Sequence, residues 1–253
     1  MKDALLRAAS VLLAVVLLLA WEIACRVLRL PVLVLPPPSA IASTLWQGLA
    51  SGYFWPHLRA TAQELALGVL AGSALGFLAG VVLGESAVLR RVLMPYVVAS
   101  QVVPKLALAP LFILWFGFGI TSIVVITALI CFFPLMENTL TALQQVAPER
   151  LELFRMLGAT RAQTLWRLKL PSGLPAILAG LRVAVVLALV GAVVGEFIGA
   201  SQGLGALVIA TQGTMDTARM FAVLVLIALL GLAAYQLTLW LERWLLQPFT
   251  RTS

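Results

Sequence analysis

Two charge-free apolar runs constrain this chain more than anything else in it. Leu65–Gly84 is bracketed by Glu64 and Glu85, and Met220–Leu241 by Arg219 and Glu242. Each has the length of a membrane-spanning helix, which takes about 20 apolar residues. The rest of the chain agrees. Of 253 residues, 62% are hydrophobic and 11% charged, whereas a soluble domain is about half apolar and about one quarter charged. That balance excludes a water-soluble enzyme, and it excludes a disordered chain, which needs low apolar content and high charge. The length leaves room for about six spans and short loops, with no separate soluble domain. Cys25 and Cys131 lie in apolar stretches and suggest neither a disulfide framework nor a metal site.

The remaining spans follow from charge. The stretch 4–25 is long enough, with Arg7 and Glu22 near its ends. A secretory signal is the alternative. Glu22 stands where a lipoprotein-type site at Cys25 needs a small or aliphatic residue, so an uncleaved first span is expected. Leu106–Met136 carries no charge, and Trp115-Phe116-Gly117-Phe118-Gly119 supplies turn glycines within it. Arg90 and Arg91 precede this region; Arg150, Arg155, Arg161, Arg167 and Lys169 follow it. The positive-inside rule puts both groups in the cytoplasm, so an even number of spans separates them. The expected fold is an all-α membrane protein, one domain over residues 1–253. Its spans are expected at about 4–25, 64–84, 94–116, 120–141, 176–199 and 219–241. Both termini then lie in the cytoplasm, and eleven basic residues are inside (Lys2, Arg7, Arg243 and Arg251 among them) against Arg26, Arg29, Arg59 and Arg219 outside. The net charge of +7 belongs to this bias rather than to nucleic-acid binding. Trp21, Trp46, Trp55, Trp115, Trp240 and Trp244 fall near span boundaries or in the outer loop, as aromatic belts do.

The outer segment 36–60 is amphipathic. Pro36-Pro37-Pro38 stops the first span. Ser39 is the expected N-cap of a short surface helix with Ile41, Leu45 and Leu49 on one face. His57, the single histidine, reads as a surface residue without a partner. Within the membrane, Gly68, Gly72, Gly76, Gly80 and Gly84 repeat every fourth residue, and Gly191, Gly195, Gly199 and Gly203 do the same. Small residues at that spacing let another helix come close. Static packing and a sliding surface both fit. Ionisable residues at membrane depth are functional candidates, and Lys105, Arg182 and Glu196 are singled out as such. Arg182 is near a span end and can snorkel. Lys105 with Gln101, one turn away, forms either part of an anion path or a helix-to-helix hydrogen bond beside a kink expected at Pro104. Glu196 is either a gate or an interhelical anchor.

Residues 146–171 form a polar, amphipathic island between apolar spans. Leu151, Phe154 and Leu157 make a helical stripe, and Gly158 is placed to end that helix. Thr160 and Gln163 fit a capping box for a second short helix, which Pro171 and Pro175 are expected to close. The apolar side chains of this element need either a protein partner or the lipid surface.

Here the chain resembles a family. Permeases of binding-protein-dependent ABC importers carry a cytoplasmic signature: Glu-Ala-Ala, three residues, Gly, nine residues, Ile-x-Leu-Pro. This chain has Glu152-Leu153-Phe154, Gly158, Leu168 and Leu170-Pro171 at the same spacings. Larger apolar residues replace both alanines, and Leu replaces Ile. Leu35-Pro36-Pro37-Pro38-Ser39, Pro104–Leu111, Trp115-Phe116-Gly117, Gly180-Leu181-Arg182 and Gly195-Glu196-Phe197-Ile198-Gly199 resemble the nitrate/sulfonate/taurine/bicarbonate branch. Gly191–Phe197 and Pro104-Lys105 look like its thiamine-precursor and riboflavin subgroup. The resemblance implies a type I importer permease whose coupling residues are Glu149, Glu152, Phe154, Arg155, Leu157, Gly158, Ala159, Leu170 and Pro171. It implies a cytoplasmic ATPase dimer carrying ATP and Mg, a second permease chain, a periplasmic or lipid-anchored binding protein that selects the solute, and the bacterial inner membrane. No cofactor is expected on this chain itself.

The sequence contains no chemistry of its own. The three lysines follow Met1, Pro104 and Leu168, so the Gly-Lys pair of a P-loop is absent. ATP hydrolysis is therefore expected on a separate chain. The competing function is an ion-coupled secondary transporter, which needs ionisable relays near the midplane. Glu196 alone is thin support for that.

Overall fold

The structure is a computed structural model that describes residues 2–250. Arg251 lies outside the described residues, and the side chains of Lys2 and Arg7 are not described. Every regular element is helical: α1 (Lys2–Val27), α2 (Pro38–Ala50), α3 (Trp55–Glu85), α4 (Ala87–Val102), α5 (Ala109–Phe116), α6 (Ile120–Gln144), α7 (Pro148–Met156), α8 (Arg161–Thr164), α9 (Leu170–Gly199), α10 (Leu204–Gly213) and α11 (Thr217–Thr250). A 3₁₀ turn at Lys105–Leu108 precedes α5, and a π-helical turn at Leu165–Lys169 joins α8 to α9.

The glycine ladder of α3 explains the core. An added Cβ on Gly72 would lie 2.8 Å from the Cβ of Cys131, and one on Gly80 would lie 2.6 Å from the Cβ of Thr139. Gly68 meets Thr127, Gly76 meets the Phe132 carbonyl and Gly84 meets Leu143. Glycine at each rung lets α3 lie directly on α6, backbone against backbone. The rungs ascend together in both helices, so α3 and α6 are parallel. On the other side of α6 the order reverses. Gly173 meets Ala142, Gly180 meets Asn138, Gly191 meets Ile130 and Gly195 meets Ile123, so α9 is antiparallel to α6. Gly231 of α11 packs on Leu189, and Arg182 pairs with Glu242 at 3.2 Å. Arg182 therefore has an ion-pair partner on α11 in addition to any route to the interface. Gly203 does not extend the second ladder. It lies beyond α9, with φ +134°, and precedes α10.

Parallel packing of α3 and α6 has a topological consequence. The chain leaves α3 at one end of the bundle and starts α6 at the other, so residues 87–116 must travel its length. They do so as a broken pair. α4 and the turn-plus-α5 segment are bent by 80°. The single span expected at about 94–116 is thus corrected to a broken pair: helix begins at Ala87 and stops at Val102. Pro104 lacks an N–H and drives Val103 into extended backbone, φ −67° and ψ 124°. Among the described residues, five helices are long and apolar enough to cross a membrane, six spans if the bent pair counts as one.

The end where α3 begins carries a cap. Ile41 of α2, Phe54, and Leu204, Leu207 and Val208 of α10 pack on Val223 and Leu226 of α11, with Trp21, Leu45 and Leu49 around them. Ser39 is not the N-cap of α2. Pro37 takes that position and Pro38 the first turn, while the Ser39 amide and hydroxyl both donate to Glu22 at 3.0 and 2.8 Å. Arg26 pairs with the same carboxylate at 2.6 Å. The C-terminal end of α1 is thereby fastened at the capped end, although most of the described side chains of α1 are exposed.

Candidate functional site

Polar residues gather at each end of the bundle and in a groove between the ends. At the end opposite the cap, α6 ends at Gln144 and the chain turns into α7. Gly158 ends α7 with φ +73°. Its amide donates to the Arg155 carbonyl and the Ala159 amide to the Phe154 carbonyl, both at 3.0 Å, which is a Schellman stop requiring a left-handed residue. The capping box forms. The Gln163 amide donates to Thr160 Oγ1 at 3.2 Å, and the Thr160 amide donates to Gln163 Oε1 at 2.8 Å.

Two expectations fail here. The second helix is not closed by Pro171 or Pro175. It runs through the π-turn as one 39-residue segment, Arg161–Gly199. Pro171 falls in the first turn of α9, where a missing N–H is tolerated, and Pro175 sits inside the helix. The stripe Leu151, Phe154, Leu157 is also split. Leu151 and Phe154 are half-buried, whereas Leu157 is 73% exposed, beside Leu153 at 54% and Met156 at 86%. Trp166 in the π-turn is 66% exposed. Glu149, Glu152 and Arg155 are exposed, and Ala159, Leu170 and Pro171 are half-buried. The Lys169 ammonium pairs with Glu85 at 2.6 Å, tying the root of the loop to the end of α3.

The middle place is a cavity of about 580 Å³ beside the break between α4 and α5. Gln101 and Lys105 line it from the break, Phe133, Glu137 and Asn138 from α6, and Val183, Leu187 and Val190 from α9. The Lys105 ammonium lies 4.5 Å from the centre of the Phe133 ring. Gln101 and Lys105 therefore line one cavity, but from either side of the break at Val103 and Pro104 and not as neighbours one turn apart on a single helix.

Glu196 is not part of it. It is 1% exposed, at the capped end. The Gly205 amide donates to Glu196 Oε2, the Leu204 amide donates to Thr61 Oγ1 at 2.8 Å, and the Gly203 amide lies 3.2 Å from His57 Nδ1. The first amides of α10 are thus satisfied by side chains of α3 and α9, since a helix start leaves such donors unpaired. Glu64, 3% exposed, lies against Glu196. His57 is accordingly no lone surface residue. His57, Thr61 and Glu64 were missed as a group, although their spacing of four and three places them on one helical face.

A family model described as binding-protein-dependent transport system inner membrane component matches residues 72–247. The formylaminopyrimidine transport permease protein ThiX of Halalkalibacterium halodurans is 37% identical over 219 residues, 87% of either chain. The riboflavin transport system permease protein RibX of Chloroflexus aurantiacus is 38% identical over 231 residues, 91% of this chain and 86% of that one. The taurine transport system permease protein TauC of Escherichia coli is 34% identical over 241 residues, 90% and 87% of the two chains. Among solved structures, a chain of the inward-facing MetNI methionine ABC transporter superposes with a TM-score of 0.63 at 20% identity, covering 77% of this chain and 98% of that one. That last likeness is one of fold. The chain belongs to the inner-membrane components of binding-protein-dependent transport systems: it is a multi-pass permease subunit of an ABC importer for small solutes, with hydrolysis of ATP on a separate ATPase and solute brought by a binding protein.

Proposed function

We propose that residues 146–171 are the coupling element of this importer, seated on the cytoplasmic ATPase. The observation that carries the reading is the exposed apolar set Leu153, Met156, Leu157 and Trp166, held in place by the Gly158 stop and flanked by Glu149, Glu152 and Arg155. Movement of α7 would reach the spans by two routes, through the unbroken helix Arg161–Gly199 and through the Lys169–Glu85 pair onto α3.

On this reading the loop end of the bundle is cytoplasmic, both termini lie on that side, and the α2–α10 cap faces outward. The solute path follows the groove of Gln101 and Lys105, while Glu196 anchors α10. Two copies of this chain, or one with a close paralogue, stand on a pair of ATPase subunits. The relatives named above support a nitrogen heterocycle or an amino-sulfonate of the taurine kind as the solute. Cysteines introduced at Ser51 and Gln163, in a background lacking Cys25 and Cys131, test the topology. The account expects an impermeant maleimide to label them from opposite faces, and labelling from one face would refute it.

A further inference from the structure

The groove beside the α4–α5 break holds two charges that do not neutralise each other. Phe133 and Glu137 are one turn apart on the same face of α6, roughly 6 Å along the helix. Lys105 is seated over Phe133, at 4.5 Å. Among the described residues, neither Lys105 nor Glu137 has an ion-pair partner. Charges at membrane depth are costly, and those facing a cavity mark solute or ion pathways. The Asn138 amide group donates to the Pro134 carbonyl at 2.8 Å, leaving its oxygen as an acceptor. The remaining walls, Ile130, Val183, Leu187 and Val190, are apolar. The volume of about 580 Å³ lies within the range of small-molecule sites, about 300–1,000 Å³.

We propose that this groove is a subsite for a small, net-uncharged solute with an acceptor end at Lys105 and a donor end at Glu137, and that it rejects simple anions. The proposal rests on the reading of the groove as the solute path. A simple anion held at Lys105 would stand about one helical turn from the Glu137 carboxylate, between walls that screen poorly. It would also leave Glu137 without a donor. A zwitterion or a neutral heterocycle satisfies both ends.

The test uses the permease–ATPase complex in nanodiscs, carrying Leu187→Cys in a Cys25→Ala, Cys131→Ala background. The readout is the rate at which a water-soluble maleimide modifies the introduced thiol, with taurine, formylaminopyrimidine, ethanesulfonate or nitrate present at equal concentration. Taurine and ethanesulfonate differ only in the ammonium group. At least one of the two net-uncharged probes is expected to slow modification at least about fivefold more than either anion. Glu137→Gln, which preserves shape, should shrink that difference to below about twofold. Equal protection by ethanesulfonate or nitrate, protection that Glu137→Gln leaves unchanged, or no protection by any probe would overturn the proposal. A thiol that the maleimide cannot reach at all would instead overturn the path reading on which the proposal stands.

Discussion

Gly158 shows what one residue can decide. Its φ of +73° closes α7, and an added Cβ would meet nothing within 4 Å. Substitution there is opposed by backbone strain alone, about 1–2 kcal/mol for an L-residue in the left-handed region. Asn tolerates that region and β-branched residues do not. Gly158→Asn should therefore retain most ATP-driven uptake in proteoliposomes, whereas Gly158→Val should lose at least about tenfold. Equal loss in both variants would mean that the glycine matters for something other than its conformation. Gly158 and the Thr160–Gln163 box were legible in the sequence because all their partners lie within five residues. The His57–Thr61–Glu64–Glu196 group was not. Its bonds to Gly203 and Leu204 join residues 146 and 143 apart in the chain, and no local spacing encodes such a pairing.

The helices show the same division. A period of four marks Gly68–Gly84 as a close-packing face, but nothing in that period names α6 as the partner. Gly203 obeys the same arithmetic as Gly191, Gly195 and Gly199, yet lies outside the helix, because α9 ends at Gly199. The break at Pro104 was visible only as a kink. An 80° bend follows from the 3₁₀ turn after it, which a hydropathy window does not resolve. The ladder makes a direct prediction. Gly76→Ala places a Cβ against the Phe132 carbonyl and 3.3 Å from the Met136 amide nitrogen. Overpacking of this kind costs about 1–3 kcal/mol, so the thermal midpoint of the purified permease should fall. Gly213→Ala, at a glycine with open space around it, should leave the midpoint unchanged. Equal midpoints for Gly76→Ala and the parent would show that α3 does not depend on contact with α6.

Across the whole molecule, charge and packing agree by separate routes that Arg91 and Arg150 lie at the same end of the bundle. The even number of spans between Arg91 and Arg150 came from the positive-inside rule, and the parallel pair α3 and α6 requires residues 87–116 to travel the length of the bundle. One six-span bundle supplies one α7–Gly158–α8 element, and the proposed ATPase is a dimer. Native mass spectrometry of the assembled importer should therefore count two permease-type chains, and a count of one would exclude the arrangement. The central claim is that residues 146–171 seat on the ATPase rather than on lipid. Glu152 is exposed, at the middle of α7, and has no ion-pair partner among the described residues. Against anionic lipid, Glu152→Lys adds favourable charge, worth about 1 kcal/mol, and transport should persist. Against a protein surface matched to a carboxylate, the same change opposes docking. The measurement is ATP-dependent, vanadate-sensitive uptake by the reconstituted importer carrying Glu152→Lys, with co-purification of the ATPase scored on the same sample. The account predicts that uptake falls at least about tenfold and that ATPase binding weakens; uptake at the parental rate with normal ATPase binding would contradict it.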